Sequence, residues 1–221
     1  MIKAAIMNSA VHDVHAANGA TSAVDRVGSG RVDALRAVNQ DVLVYDKANP
    51  ALISSTFGVT EIKNGKETFS RELVVDNTNG AAHTYQVRFD ASTDVPGVSF
   101  STPGSVSVAK GGKATVKVTA TVDRAQLAKT HDPSEAVTQL GFARQFLASE
   151  SGRLVLTENG QDLRVPMSIA PKPAADMRVD NVTLDRWDKN GTSAVALAGT
   201  GLDQGGWQSA LGAFELGAKS G

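Results

Sequence analysis

Four histidines, the Asp and Glu carboxylates and the Ser and Thr hydroxyls carry whatever chemistry this sequence can do, since it holds no Cys. The missing thiols exclude disulfides, thiolate nucleophiles and Cys-ligated metal centres together. His12 and His15 flank Asp13 three positions apart. On a helix that spacing presents two metal ligands on one face. The segment reads as a solvated loop instead, with no third ligand beside it. His83 falls at the start of a strand and reads as an exposed face residue. His131 precedes Asp132 and reads as part of a helix cap. The acids Asp46, Asp76, Asp90, Asp94, Asp123, Glu158, Asp162 and Asp203 are scattered at strand ends and turns, where Asp is common for local hydrogen-bonding reasons. None forms a D-x-D-x-D-G calcium loop. Gly28-Ser29-Gly30 lacks the Lys-Ser/Thr of a phosphate loop and reads as a turn. Asn181-Val182-Thr183 and Asn190-Gly191-Thr192 fit the glycosylation triplet, a pattern that arises often by chance. No catalytic, cofactor-binding or metal-binding residue is assigned from these patterns.

The elements that would position such residues change character near residue 40. Ile2-Lys3-Ala4-Ala5-Ile6-Met7-Asn8 predicts a helix with Ile2 and Ile6 on one face and no N-cap before it. After a polar loop from His12 to Ser29, Gly28-Ser29-Gly30-Arg31-Val32-Asp33-Ala34-Leu35-Arg36-Ala37-Val38 predicts a glycine-rich turn into a second short helix. From about Asp41 the period becomes two. Ala114, Val116, Val118, Ala120 and Val122 alternate with Lys and Thr, as in a half-buried antiparallel strand. Tyr85, Val87, Phe89 and Ala91 alternate with Gln86, Arg88 and Asp90; Leu163, Val165, Met167 and Ile169 alternate with Arg164, Pro166 and Ser168. Pro166 places its strand at an edge or at a bulge. Turn signals fall at Asn79-Gly80 and Pro103-Gly104, and hairpins are expected at Lys110-Gly111-Gly112-Lys113 and Glu158-Asn159-Gly160-Gln161. The expected fold is mainly β, an antiparallel β-sandwich of roughly seven strands over 41–172, preceded by two short helices in 1–40. His131-Asp132-Pro133-Ser134-Glu135 predicts a short helix or ordered loop near 133–147. Pro171 to Ala175 reads as a linker. Residues 173–221 read as the start of a further β-unit or a truncated tail, with strands at 177–184 and 192–197.

The chain has 221 residues and a net charge of −1, with aromatics at 5%. Its core must therefore be built mainly from Val, Leu, Ile and Ala. Near-neutral charge without a Lys/Arg cluster argues against nucleic acid and anionic membranes as partners. No apolar run approaches the roughly 20 residues of a membrane helix. The stretch from Met1 to Met7 is too short for a secretory h-region, so an exported parent would carry its signal upstream.

Two segments resemble the subtilisin-like serine peptidases. Ile2-Lys3-Ala4-Ala5-Ile6-Met7-Asn8-Ser9-Ala10 looks like the helix that follows the catalytic-serine helix in that family, usually I-K-A-A-L-M-x-T-A. Gly28-Ser29-Gly30-Arg31-Val32-Asp33-Ala34 resembles its G-x-G-x-V-[DN]-A turn into the last helix of the catalytic domain. Gly152-Arg153-Leu154-Val155-Leu156 and Leu163-Arg164-Val165-Pro166-Met167 are similar to the last strands of the fibronectin-III-like domain in lactocepin and C5a-peptidase relatives, with Met167 in place of the usual aromatic. The resemblance implies that 1–40 are the C-terminal helices of a catalytic domain and 41–172 a fibronectin-III-like sandwich. It also implies that the Asp, His, oxyanion Asn and Ser segments lie upstream of Ile2. Gly191-Thr192-Ser193-Ala194 resembles the family's G-T-S-M-A nucleophile motif. It stands far beyond the helix it should precede, and Lys189-Asn190-Gly191 before it reads as a turn into a strand. The expectation is a non-catalytic C-terminal region of a secreted endopeptidase, without a cofactor, whose partner is the catalytic domain of the same polypeptide and, in turn, its protein substrate. The alternative is a free-standing fibronectin-III-like module at a cell surface.

Overall fold

The structure is a computed structural model that describes residues 1–63, 65–78, 80–128, 130–143, 149–173, 176–179 and 197–200, with backbone alone from 173 onward. The chain divides into two compact units, Met1–Lys172 and Pro173–Gly221. The first 40 residues thus belong to the same unit as the strands that follow.

That part contains three short helices, α1 (Ile2–Asn8), α2 (Val24–Val27) and α3 (Ala34–Val38). α1 has no side-chain cap, as its sequence predicts. Its buried face differs from the predicted one: Ala4 and Asn8 are covered while Ile2 stands open to solvent. α3 starts on Asp33, whose carboxylate accepts the Arg36 amide at 3.0 Å. This is ordinary N-capping of an otherwise unpaired backbone donor.

Nine strands build the sandwich. They are β1 (Val42–Asp46), β2 (Ser55–Ile62), β3 (Lys66–Asn77), β4 (His83–Thr93), β5 (Val98–Ser101), β6 (Ser105–Val108), β7 (Lys113–Asp123) and, after the small hairpin β8 (Thr138–Gln139) and β9 (Phe142–Ala143), β10 (Glu150–Glu158) and β11 (Gln161–Pro173). One sheet runs β1-β3-β7-β5, the other β2-β11-β10-β4-β6. Each sandwich pair of known register is antiparallel. The protein is mainly β, an antiparallel β-sandwich preceded by short helices.

The period-two pattern does what it predicts on β7: Val116, Val118, Ala120 and Val122 are fully buried while the alternate Lys and Thr face outward. They meet Val42, Val44, Leu73 and Val75 of their own sheet and Leu154, Leu156, Val165 and Ile169 of the other. Burying each such valine, leucine or isoleucine stabilises by about 1.5–3 kcal/mol.

Two expectations are corrected. Lys110-Gly111-Gly112-Lys113 is not a hairpin: β6 pairs with β4 and β7 with β3 and β5, so the turn carries the chain from one sheet to the other. Gly111 takes a left-handed φ of 64° there, a conformation equally open to hairpins and arches. Pro166 lies on neither an outermost strand nor a bulge against β10. β11 sits between β2 and β10, and its register runs unbroken through Arg153↔Pro166. Residues of an interior antiparallel strand serve its two neighbours alternately, so Pro166 forgoes at most one ladder bond, to β2 or to β10, and the bonds on either side of it hold the register. The irregularity falls instead between β4 and β10, at Ser151/Gly152.

Of the short helix or ordered loop expected near 133–147, the described residues take the loop. The Asp132 carboxylate accepts from the Ser134 amide at 2.8 Å and from its hydroxyl at 2.6 Å. This closes a side-chain turn rather than starting a helix, and the chain continues into β8 and β9. The expected linker also begins later, since β11 runs on through Pro173. Glu158-Asn159-Gly160-Gln161 is the expected hairpin, with Asn159 and Gly160 both at positive φ, as a type I′ turn needs.

In the second unit β12 (Asp176–Val179) pairs antiparallel with β13 (Leu197–Thr200). Most of the strands expected at 177–184 and 192–197 lie outside the described residues.

Candidate functional site

β10 is buried along both faces over most of its length, as the shorter β1 is. Gly152, Leu154 and Leu156 alternate with Ser151, Arg153 and Val155. Leu154 and Leu156 of the first set face the core, and in the second Arg153 and Ser151 meet residues of the first 40, at Gly28 and at Ala23 and Asp25. Gly152 is required at its place, because a Cβ there would strike the Asp90 carbonyl and the Phe89 ring across the ladder. Arg153 is 1% exposed. Its guanidinium donates to Ser92 Oγ at 3.1 Å and to the Gly28 carbonyl at 2.9 Å, and its Nε has no partner. Burial, then the neighbouring Arg164 charge, pushes it down to about 10. Arg164 donates to the Ala10 carbonyl at 3.0 Å, and Arg36 to the Asp162 carbonyl at 2.7 Å. Asn8 is fully buried and bridges the two sheets. Its Oδ1 accepts the Val44 amide at 2.8 Å, and its Nδ2 donates to the Arg164 carbonyl at 3.1 Å.

A second locus is a cleft of about 270 Å³ where β4 begins and β10 ends, lined by Arg36, Asp41, His83, Tyr85, Glu158 and Leu163 among others. His83 is half-buried here, not exposed as its strand-end position suggests. Its Nδ1 lies 2.5 Å from Glu158 Oε2, and its ring stacks on Tyr85 with centroids 5.7 Å apart. Burial works against the Glu158 charge, but the Thr84 amide and His83 outweigh it and hold the carboxyl below its usual range. Burial and the Glu158 and Asp41 charges push the Tyr85 phenol up. A carboxylate-oriented imidazole is the base half of an acyl-transfer site. The other half is not assembled around it: Nε2 is buried without a partner, and no described hydroxyl bonds to it. The pair instead ties the start of β4 to the end of β10.

The remaining sequence candidates separate. His15 is exposed and His12 half-buried, on a loop held by isolated bridges Val11↔Arg31 and His15↔Thr21 rather than on a helix. His131 stands just before the Asp132 turn. Among the described residues no group of three or more His, Asp or Glu is arranged to hold a metal ion. Asp46 accepts the Ala48 and Asn49 amides and the Ser55 hydroxyl, the work of a turn residue. Ser193, Asp203 and both glycosylation triplets lie outside the described residues. No described helix is long and apolar enough to cross a membrane.

Glu150 was not a sequence candidate, yet it is 4% exposed at the start of β10 and accepts the Val95 amide at 2.6 Å. Burial, offset in part by that hydrogen bond, pushes its carboxyl up to about 7. A folded value above the unfolded one means that the native state holds a proton the unfolded chain has released. This contribution is fully present below about pH 4.5 and is lost as pH rises through 7. Glu150→Gln, which keeps an acceptor for Val95, is therefore expected to be more stable than the parent at pH 8 by about 2 kcal/mol. The two should converge at pH 4.5, as read by urea denaturation at both pH values.

No family model matches the chain, and no curated protein matches it. Among solved structures it is similar to a FixG-related protein from Vibrio parahaemolyticus, at 14% identity over 59% of this chain and 94% of that one, with a TM-score of 0.33. It is also similar to the ASH/PapD-like domain 7 of human CEP192, at 13% identity over 61% of this chain and 87% of that one, TM-score 0.35. A family 123 glycoside hydrolase from Clostridium perfringens aligns at 9% identity over 61% of this chain and 28% of that one, TM-score 0.35. The class the fold defines is the antiparallel β-sandwich.

Proposed function

We propose that this chain is the non-catalytic C-terminal region of a secreted subtilisin-like serine endopeptidase, serving as the scaffold that fixes the last helices of the catalytic domain and shapes substrate access. The observation that carries the reading is the two-sidedness of the first 40 residues. One side is keyed to the sandwich through Asn8, Gly28 and Ala10. The other exposes Ile2 at 79%, Leu35 at 75% and Val38 at 83%, on α1 and α3. Apolar side chains on helices that already hold a sandwich on one side mark a second packing surface. The catalytic domain implied by the Ile-Lys-Ala-Ala and Gly-Ser-Gly-Arg-Val-Asp-Ala segments is the occupant that fits it. Proteolysis then belongs to the parent, in an extracellular setting, and this region touches protein substrate at most through its surface.

The cleft beside His83 favours the second reading, a free-standing fibronectin-III-like binding module at a cell surface, because it offers a preformed polar recess. One experiment separates the two. A fluorophosphonate probe is expected to leave this chain unlabelled. It is expected to label the product of the full reading frame at a Gly-Thr-Ser-Met-Ala serine encoded upstream of Ile2. A stop codon directly upstream of Met1 would establish the free module, and stoichiometric labelling of Ser193 would overturn both readings.

A further inference from the structure

The segment from Ala10 to Arg31 lies over the outer face of β10 and β11. It is closed on itself by paired Val11 and Arg31 amide–carbonyl bonds of 2.8 Å each. It is held down by Arg164 at Ala10, by Arg153 at Gly28, and by Arg26 paired with Asp132 at 3.1 Å and Glu135 at 2.8 Å. Under its first turn sits His12, whose Nε2 is buried with no partner. The charged groups facing it are Arg153 from β10, Arg164 from β11 and His15 from the segment itself; the Ser22 carbonyl accepts from the ring. The nearby carboxylates are committed to other cations: Asp13 to Arg31 at 2.6 Å, Asp162 to Arg164 at 2.7 Å and Asp90 to Arg88 at 2.9 Å.

We propose that this segment is an acid-released latch, in which protonation of His12 beside the Arg153 and Arg164 guanidiniums lifts the segment from β10 while the sandwich stays folded. A third buried cation has no counter-charge at this spot, whereas opening the segment gives the imidazolium water. Burial first, then Arg153, holds His12 down to about 4 in the docked state, against an ordinary 6.5. The open state therefore binds a proton that the docked state excludes. Docking is unaffected above pH 6.5 and weakens as pH falls from there through 4, by on the order of 100-fold in the docked-to-open ratio. The ion pairs of Asp13 and Asp132 do not produce this window, because both carboxyls are held below their ordinary 3.8. The latch concerns the sandwich's own surface and stands whether or not a catalytic domain precedes it.

The test is amide protection by NMR on the full chain between pH 7 and 4. Protection at Val11 and Arg31 is expected to fall on the order of 100-fold while Val116 and Leu154 hold. His12→Gln should abolish the fall at the two latch amides. Core amides that lose protection in step with the latch, or a fall that persists in His12→Gln, would overturn the proposal. A direct reading needs no variant: the His12 ring is expected to titrate below pH 5, and titration near 6.5 refutes the latch.

Discussion

Asn8→Ala is expected to cost about 3 kcal/mol, a large effect for a residue on a short helix at the chain's edge. The side chain is buried and uses both ends of its amide, one on each sheet. Its truncation strands the Val44 N–H, on the outermost strand of one sheet, and the Arg164 carbonyl of the other. Each stranded buried group costs about 1–3 kcal/mol, more than the net worth of the bond it loses. Asn8→Asp separates the two halves. The carboxylate still accepts from Val44, but it sets a second oxygen against the Arg164 carbonyl. Burial and that carbonyl both raise its pKa, so the native state holds the proton longer than the unfolded chain. The aspartate variant should thus lose as much as alanine at pH 8 and recover part of the loss toward pH 4, once a protonated oxygen can donate to Arg164. Urea midpoints with unchanged slopes are the measurement. A loss below 1 kcal/mol for alanine would mean that water serves both groups and that Asn8 is not the clasp.

Such a role could not be read from the sequence, and the reason is physical. An Asn on a helix reads as a surface residue, because its partners are set by tertiary placement 36 and 156 positions away. What was legible is what is local. The alternation on β7 fixes which face is buried, and Asn159-Gly160 fixes its turn because both residues accept the positive φ that a hairpin demands. Gly111-Gly112 carries equally strong turn chemistry, yet which sheet each flanking strand joins is decided by pairing with β3 and β4, not by the turn. His83 was misplaced for the same reason, since the Glu158 that draws it inward lies 75 positions on. One nonlocal fact did leave a trace. In Ser151-Gly152-Arg153-Leu154-Val155-Leu156 the outward phase carries Val155, an apolar residue where a solvated face would place a polar one. That is the mark of a strand covered on both sides.

The cover itself predicts the second large effect, at Arg153. Arg153→Ala is expected to cost about 4 kcal/mol, and Arg153→Met less than about 1.5 kcal/mol. Alanine leaves a void between β10 and the Ala10–Arg31 segment and frees the Gly28 carbonyl. Methionine frees the same carbonyl but fills the space and removes a charge answered by hydrogen bonds to Ser92 and Gly28 and by the Asp90 charge at longer range, with no carboxylate ion-paired to it among the described residues. Breaking a buried ion pair usually strands a partner of opposite charge; here there is none to strand, so the apolar replacement escapes that penalty. If methionine proved as damaging as alanine, the guanidinium's two hydrogen bonds, not its volume, would be what holds the cover. The same variant reports on the latch. Arg153 is the cation that opposes His12 most strongly, so in Arg153→Met the ring should titrate closer to 6.5 and the acid sensitivity of Val11 and Arg31 should shrink. A residue that merely fills space would change stability without moving that titration.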